Sequence, residues 1–157
     1  MMKFLITTAV LLFTLGCSDN PITIDNIQKL PLEFKKNGVI CPQCNMPLES
    51  KKYTAQAITK DNKTHFFDDI GCMVLWLKEK NIELKSVKLW VYSVDSQKYL
   101  DALTAYYSIK DKTPMNYGFG AYEKREDGLI GFEEMRIKML RGENLANPRI
   151  RKKILGY

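Results

Sequence analysis

A charge-free apolar run, Phe4–Leu15, decides how much of the chain is free to fold into a domain. Lys3 precedes it, and its 12 residues fall short of the ~20 that a membrane-spanning helix needs. A basic start followed by a short apolar run reads as a secretory signal, which is set apart from the fold. Without residues 1–16 about 140 of the 157 residues remain. That length suits one domain with a core of its own. The full chain carries a formal charge of +6, and losing Lys3 with no acid leaves about +5.

The run ends Leu15-Gly16-Cys17, followed by Ser18 and Asp19. Small residues before a cysteine, directly after an apolar run, resemble the lipobox of bacterial lipoproteins. The resemblance implies a lipidated Cys17 and a chain anchored to a membrane facing the periplasm. Each buried acyl CH₂ of such an anchor contributes ~0.8 kcal/mol. Ser18, rather than Asp, after the cysteine favours the outer membrane. Residues 17–38 carry Pro21, Pro31, Gly38 and scattered Asn and Asp, and read as a lipidated tether. Within it, Ile27–Phe34 suits either a spacer or a stretch packed on the domain. The domain proper is expected over 39–157. Near its end Arg149, Arg151, Lys152 and Lys153 crowd together, with Arg136, Lys138 and Arg141 upstream. They suit attraction to anionic lipid or an acidic partner, while the simpler reading is a solvated, frayed end. Export argues against nucleic acid as a partner.

Alternation over Tyr53–Thr59 and Thr64–Phe67, around the polar Lys60-Asp61-Asn62-Lys63, predicts a hairpin. Asp68 and Asp69 supply N-cap chemistry for a helix through Met73, Leu75, Trp76 and Leu77. Val87–Val94 predicts a strong strand with a return over Tyr99–Tyr107. A second proline-bearing loop, Thr113-Pro114-Met115-Asn116, precedes a short strand at Phe119–Tyr122 and a helix opening at Arg125-Glu126-Asp127. The expected class is α+β, with two ββα-like half-units packed into one small domain.

With Cys17 assigned to lipid, Cys41, Cys44 and Cys72 remain. An odd number in an oxidising compartment leaves at least one thiol free or metal-bound. Cys41-Pro42-Gln43-Cys44-Asn45-Met46 places two thiols and a thioether within six residues. Soft donors of this kind select Cu(I) over hard cations. Thiol–disulfide exchange through Cys41 and Cys44 is the enzymatic alternative, but its usual strand-to-helix setting is missing. A zinc site of Cys41, Cys44, Cys72 and His65 is a third reading. Taken alone, Cys72 suits a buried small apolar residue, and the single histidine, His65, suits a structural position between strand residues. No Ser/His/Asp set, paired acidic site or phosphate-binding glycine loop is present, so no other enzymatic machinery is expected.

Three segments then occur in order: Cys44-Asn45-Met46-Pro47, Phe66-Phe67-Asp68-Asp69-Ile70-Gly71-Cys72 and Thr113-Pro114-Met115-Asn116-Tyr117-Gly118-Phe119. Together they resemble the NosL family, copper-binding lipoproteins associated with nitrous-oxide reductase maturation. The resemblance spans roughly residues 39–135. It implies paired ββα-type units and Cu(I) carried to the reductase's assembly machinery, a periplasmic partner and an ABC transporter. Carried over, it points to Cys44, Met46 and Met115 as metal ligands, with Cys41 next and zinc only a secondary or adventitious metal. Asn45 stands where the family has glycine, and Asn tolerates the left-handed backbone such a turn requires. The Cys-x-Met…Phe-Asp-Asp…Cys order is also similar to YHS-type metal-binding modules, which would make Cys72 a ligand.

Overall fold

A computed structural model describes residues 21–156. The signal (residues 1–16) and Cys17 lie outside the described residues. The domain is α+β, with three helices and two antiparallel sheets among the described residues.

The hairpin forms where the alternation placed it. Strands β2 (Ala55–Ile58) and β3 (Lys63–Phe67) pair in the register Ala55↔Phe67 to Ile58↔Thr64. Asn62, at φ +61°, closes the turn, a conformation Asn accepts at low cost. Strand β4 (Lys88–Tyr92) pairs with β2, and β5 (Tyr99–Asp101) pairs with β4. With β1 (Thr23–Asp25) on the far edge, the order is β1-β3-β2-β4-β5.

Helix α1 (Ile70–Glu79) covers one face of this sheet, burying Met73, Val74, Trp76 and Leu77. Trp76 packs on Phe67 with ring centroids 5.5 Å apart. The second sheet runs β7-β6-β8, from Tyr106–Tyr107 (β6), Ala121–Tyr122 (β7) and Ile130–Gly131 (β8). Helix α2 (Phe132–Leu140) follows and packs against α1. A bond from the Val94 amide to the Ala121 carbonyl (2.7 Å) joins the two sheets. Phe66, Phe67, Ile70, Leu89, Tyr107, Phe119 and Met135 are sealed in the common core. Full burial of each large apolar side chain is worth ~1.5–3 kcal/mol.

Three stretches differ from the sequence reading. From Thr23 onward, the segment read as tether is built onto the domain. Strand β1 supplies the partner that the edge of β3 would lack. Residues 30–36 then strap the sheet's second face: Gln56 exchanges two bonds with the Leu32 backbone (2.9 and 2.8 Å), and Phe34 meets Phe66 edge-on. The buried Gln56 amide is thereby satisfied, as a buried polar group must be. Second, α2 opens at Phe132 instead of Arg125, because Glu126–Leu129 makes a turn with Gly128 at φ +85°. Third, the tail is a helix, α3 (Pro148–Leu155), and not a frayed end. Asn147 caps its start, Pro148 occupies its first turn and Gly156 ends it at φ +81°.

Gly71 sits in the first turn of α1. A Cβ there would lie 2.3 Å from Tyr117 Cδ2 and 3.0 Å from Met139 Sδ. In an open helix Gly→Ala stabilises by up to ~1 kcal/mol. Here overpacking reverses the sign, and Gly71→Ala is expected to destabilise by ~1–3 kcal/mol in urea unfolding. A stabilised variant would disprove the close seat of Tyr117.

Candidate metal centre

The loop over Val39–Leu48 is closed at its base like a miniature hairpin. Ile40 bridges to Pro47, the Leu48 amide bonds the Val39 carbonyl (3.1 Å), and the Cys41 amide bonds the Met46 carbonyl (2.9 Å). Inside it the Asn45 amide bonds the Cys41 carbonyl (2.9 Å), with Asn45 itself at φ +60°. This geometry wraps backbone amides around the sulfurs: those of Gln43 and Cys44 donate to Cys41, and that of Met46 donates to Cys44. Pro42 and Pro47 restrict the turn before any ligand arrives.

The opposing wall is the start of α1. Asp69 is the N-cap, with its carboxylate accepting from the Gly71 amide at 2.8 Å. That fixes the first turn and places Cys72 in it, fully buried. Asp68 precedes the cap and lies one helical turn before Cys72. The sulfurs of Cys41, Cys44 and Cys72 and a carboxylate oxygen of Asp68 all lie within 4.8 Å of one another. Around a tetrahedral ion with bonds of ~2.3 Å the donors sit ~3.8 Å apart, so a small contraction would close the set.

The chemistry of the donors fits a cation. The Cys44 thiol donates to Asp68 Oδ1 at 3.2 Å. Asp68 Oδ2 is buried without any hydrogen-bond partner, an orphan that a metal ion would satisfy. A bond from the Cys72 thiol holds Cys41 down at about 7 from 9.0, against desolvation and with help from the loop amides. Donation to Cys41, together with burial and the charge of Asp68, raises Cys72. Burial and donation to Asp68 push Cys44 up to about 12. Cys41 therefore gives up its proton first, Cys44 and Cys72 keep theirs, and a cation would displace them. These four residues can hold a metal ion.

The second loop is tied to the same helix start. The Met115 amide bonds Asp69 Oδ2 at 3.4 Å, and Asn116, at φ +54°, bonds back to the Thr113 carbonyl. Met46 is 38% exposed. With Pro47, Pro114 and Asp68 it lines a cleft of about 340 Å³ that reaches the cluster from solvent. Met115 is half-buried against the core. Thus Cys41, Cys44 and Cys72 converge, Met46 stands at the mouth and the Met115 loop lies alongside. His65 stands apart. It stacks on Trp76 at 4.4 Å, near Thr59 Oγ1, and burial lowers its pKa. In the quartet drawn with His65, the fourth place belongs to Asp68. The sequence reading missed Asp68 because it assigned both aspartates to capping, which Asp69 performs alone. The one available signal was its spacing of four residues from Cys72.

Compared with known proteins, the chain matches no family model and no curated protein.

The lowered Cys41 pKa gives a signed expectation. Its contribution to stability is complete above pH 9.0 and is lost as the pH falls through about 7. Reduced, metal-free protein is expected to gain one thiolate absorbance with a midpoint near 7, and Cys41→Ser should abolish that step. A first thiolate appearing only near 9 would refute the Cys72–Cys41 bond.

Proposed function

We propose that the protein is a periplasmic, lipid-anchored carrier of Cu(I), bound by the thiolates of Cys41, Cys44 and Cys72 and exchanged through the Met46 cleft. The observation that carries this reading is the convergence of three thiols beside a cleft with a thioether at its mouth. Three soft donors suit Cu(I). A site sealed on the Cys41 and Cys72 side and open at Met46 suits an ion that must leave again. The resemblance to the NosL family supports the same reading. It names the recipients as copper-accepting assembly proteins of a reductase such as nitrous-oxide reductase, with an associated ABC transporter.

Zinc is the second reading, and Asp68 favours it. Three thiolates and one carboxylate make a complete tetrahedral set for that ion. Thiol–disulfide exchange is supported less well. The attacking thiol should combine low pKa with access. Cys41 has the lowered pKa but is fully buried, while the half-buried Cys44 has a raised one.

Competition against a chromophoric Cu(I) chelator, on reduced protein, tests the proposal. One-to-one binding is expected. Cys72→Ala should weaken it by ~100-fold, equivalent to ~2.7 kcal/mol. Met46→Leu should weaken it by ~10-fold, or ~1.4 kcal/mol. Asp68→Asn separates the metals: it leaves Cu(I) affinity nearly unchanged and strongly lowers that for zinc. Cu(I) binding indifferent to both Cys72 and Met46 would overturn the carrier reading.

A further inference from the structure

Helix α3 presents Arg149, Arg151, Lys152 and Lys153 within five residues, all exposed, and contains no acid. Among the described residues none of the four makes a salt bridge, whereas Arg136 and Lys138 just upstream are both paired. The helix's apolar stripe turns toward the body, where the half-buried Ile150 and Ile154 line a depression together with Ile109. At helical spacing Lys152 falls opposite that stripe and Arg149 beside Lys152, while Arg151 and Lys153 lie on the two flanks, Lys153 at the rim of the same depression. Capped at both ends, α3 presents these cations as an ordered helical ridge.

Its place in the fold gives the ridge a direction. Ile109 and Leu145 both crowd Gly118, the Leu145 amide bonds the Tyr117 carbonyl (3.1 Å), and the Tyr117 ring lies against Gly71. Those contacts connect Ile109, beside the depression that α3 lines, to the first turn of α1. The start of the described chain is at that same end, since the Pro21 carbonyl accepts from the amide of Ile40, next to Cys41 (3.3 Å). Pro21 follows Cys17 by four positions, at most ~14 Å of extended chain. An anchor at Cys17 therefore brings this end of the molecule close to the bilayer.

We infer that α3 docks on anionic phospholipid headgroups through Arg149, Arg151, Lys152 and Lys153, holding the cluster-bearing end of the domain near the membrane surface. The inference takes its orientation from the proposed lipid anchor and its chemistry from α3 alone. Clustered cations near an anionic bilayer are attracted additively and over no more than a Debye length. Binding through these four cations is electrostatic and salt-sensitive.

The test uses the full-length protein, purified with its anchor and mixed with vesicles of phosphatidylcholine alone or with three-tenths phosphatidylglycerol. Sedimentation with the neutral vesicles reports the anchor. Hydrogen exchange of residues 147–156 reports α3. The expected result is exchange several-fold slower on the anionic vesicles than on the neutral ones. The difference should vanish in high salt and in the R149Q/R151Q/K152Q/K153Q variant, whose Gln residues keep helix propensity. Equal exchange on both vesicles would overturn the inference and leave the ridge to an acidic protein. Failure to sediment with neutral vesicles would remove the anchor instead. Sedimentation dependent on phosphatidylglycerol would then still support α3, and its absence would refute it.

Discussion

The buried Asp69 carboxylate joins the parts of the chain that make the centre. One oxygen caps α1 through the Gly71 amide, and the other takes the Met115 amide. Thr113 adds a further bond. Burial raises its pKa to about 6 in spite of these bonds, and the charge of Asp68 adds to the rise. Without it the first turn of α1 would lose its cap and the second loop its hold on the helix. Cys72 would then lose its fixed position opposite Cys41. The neighbouring Asp68 is released by this arrangement. Because Asp69 performs the capping, Asp68 can face the three thiols with one oxygen unpartnered.

What could be read from sequence follows from how locally each feature is determined. The β2–β3 hairpin was legible because side-chain alternation and a polar turn specify it within about fifteen residues. The α1 cap was legible because Asp-Asp before an apolar run has one common use. The strap over residues 30–36 was not, since Leu32 and Phe34 have no period of their own and are recruited by Gln56 and Phe66, distant in sequence. The start of α2 was misplaced because Arg125-Glu126-Asp127 suits a helix in isolation, while pairing of Ile130–Gly131 with β6 claims the following residues for a strand. At the centre, Cys41 and Cys44 were visible from spacing. Cys72 could equally serve as a buried apolar residue or as a donor. The structure shows it fully buried and also within the cluster, so the two readings were never exclusive.

The donors form a gradient of access. Cys41 and Cys72 are sealed, Cys44 is half-buried and Met46 is exposed at the cleft. A site meant only to brace the fold would gain by burying every ligand, because an open side admits competitors and protons. Here the least accessible sulfurs are also those whose protons are most interdependent, and the most accessible donor is a thioether, which carries no proton. An ion moving outward along this series would vacate the thiolates, which would take their protons back, so capture and release would carry the same pH dependence. Under the proposed carrier role, the gradient of access suits transfer better than storage. On that proposal a methionine suits the mouth, because a thiolate there would hold the ion more firmly against an incoming soft ligand.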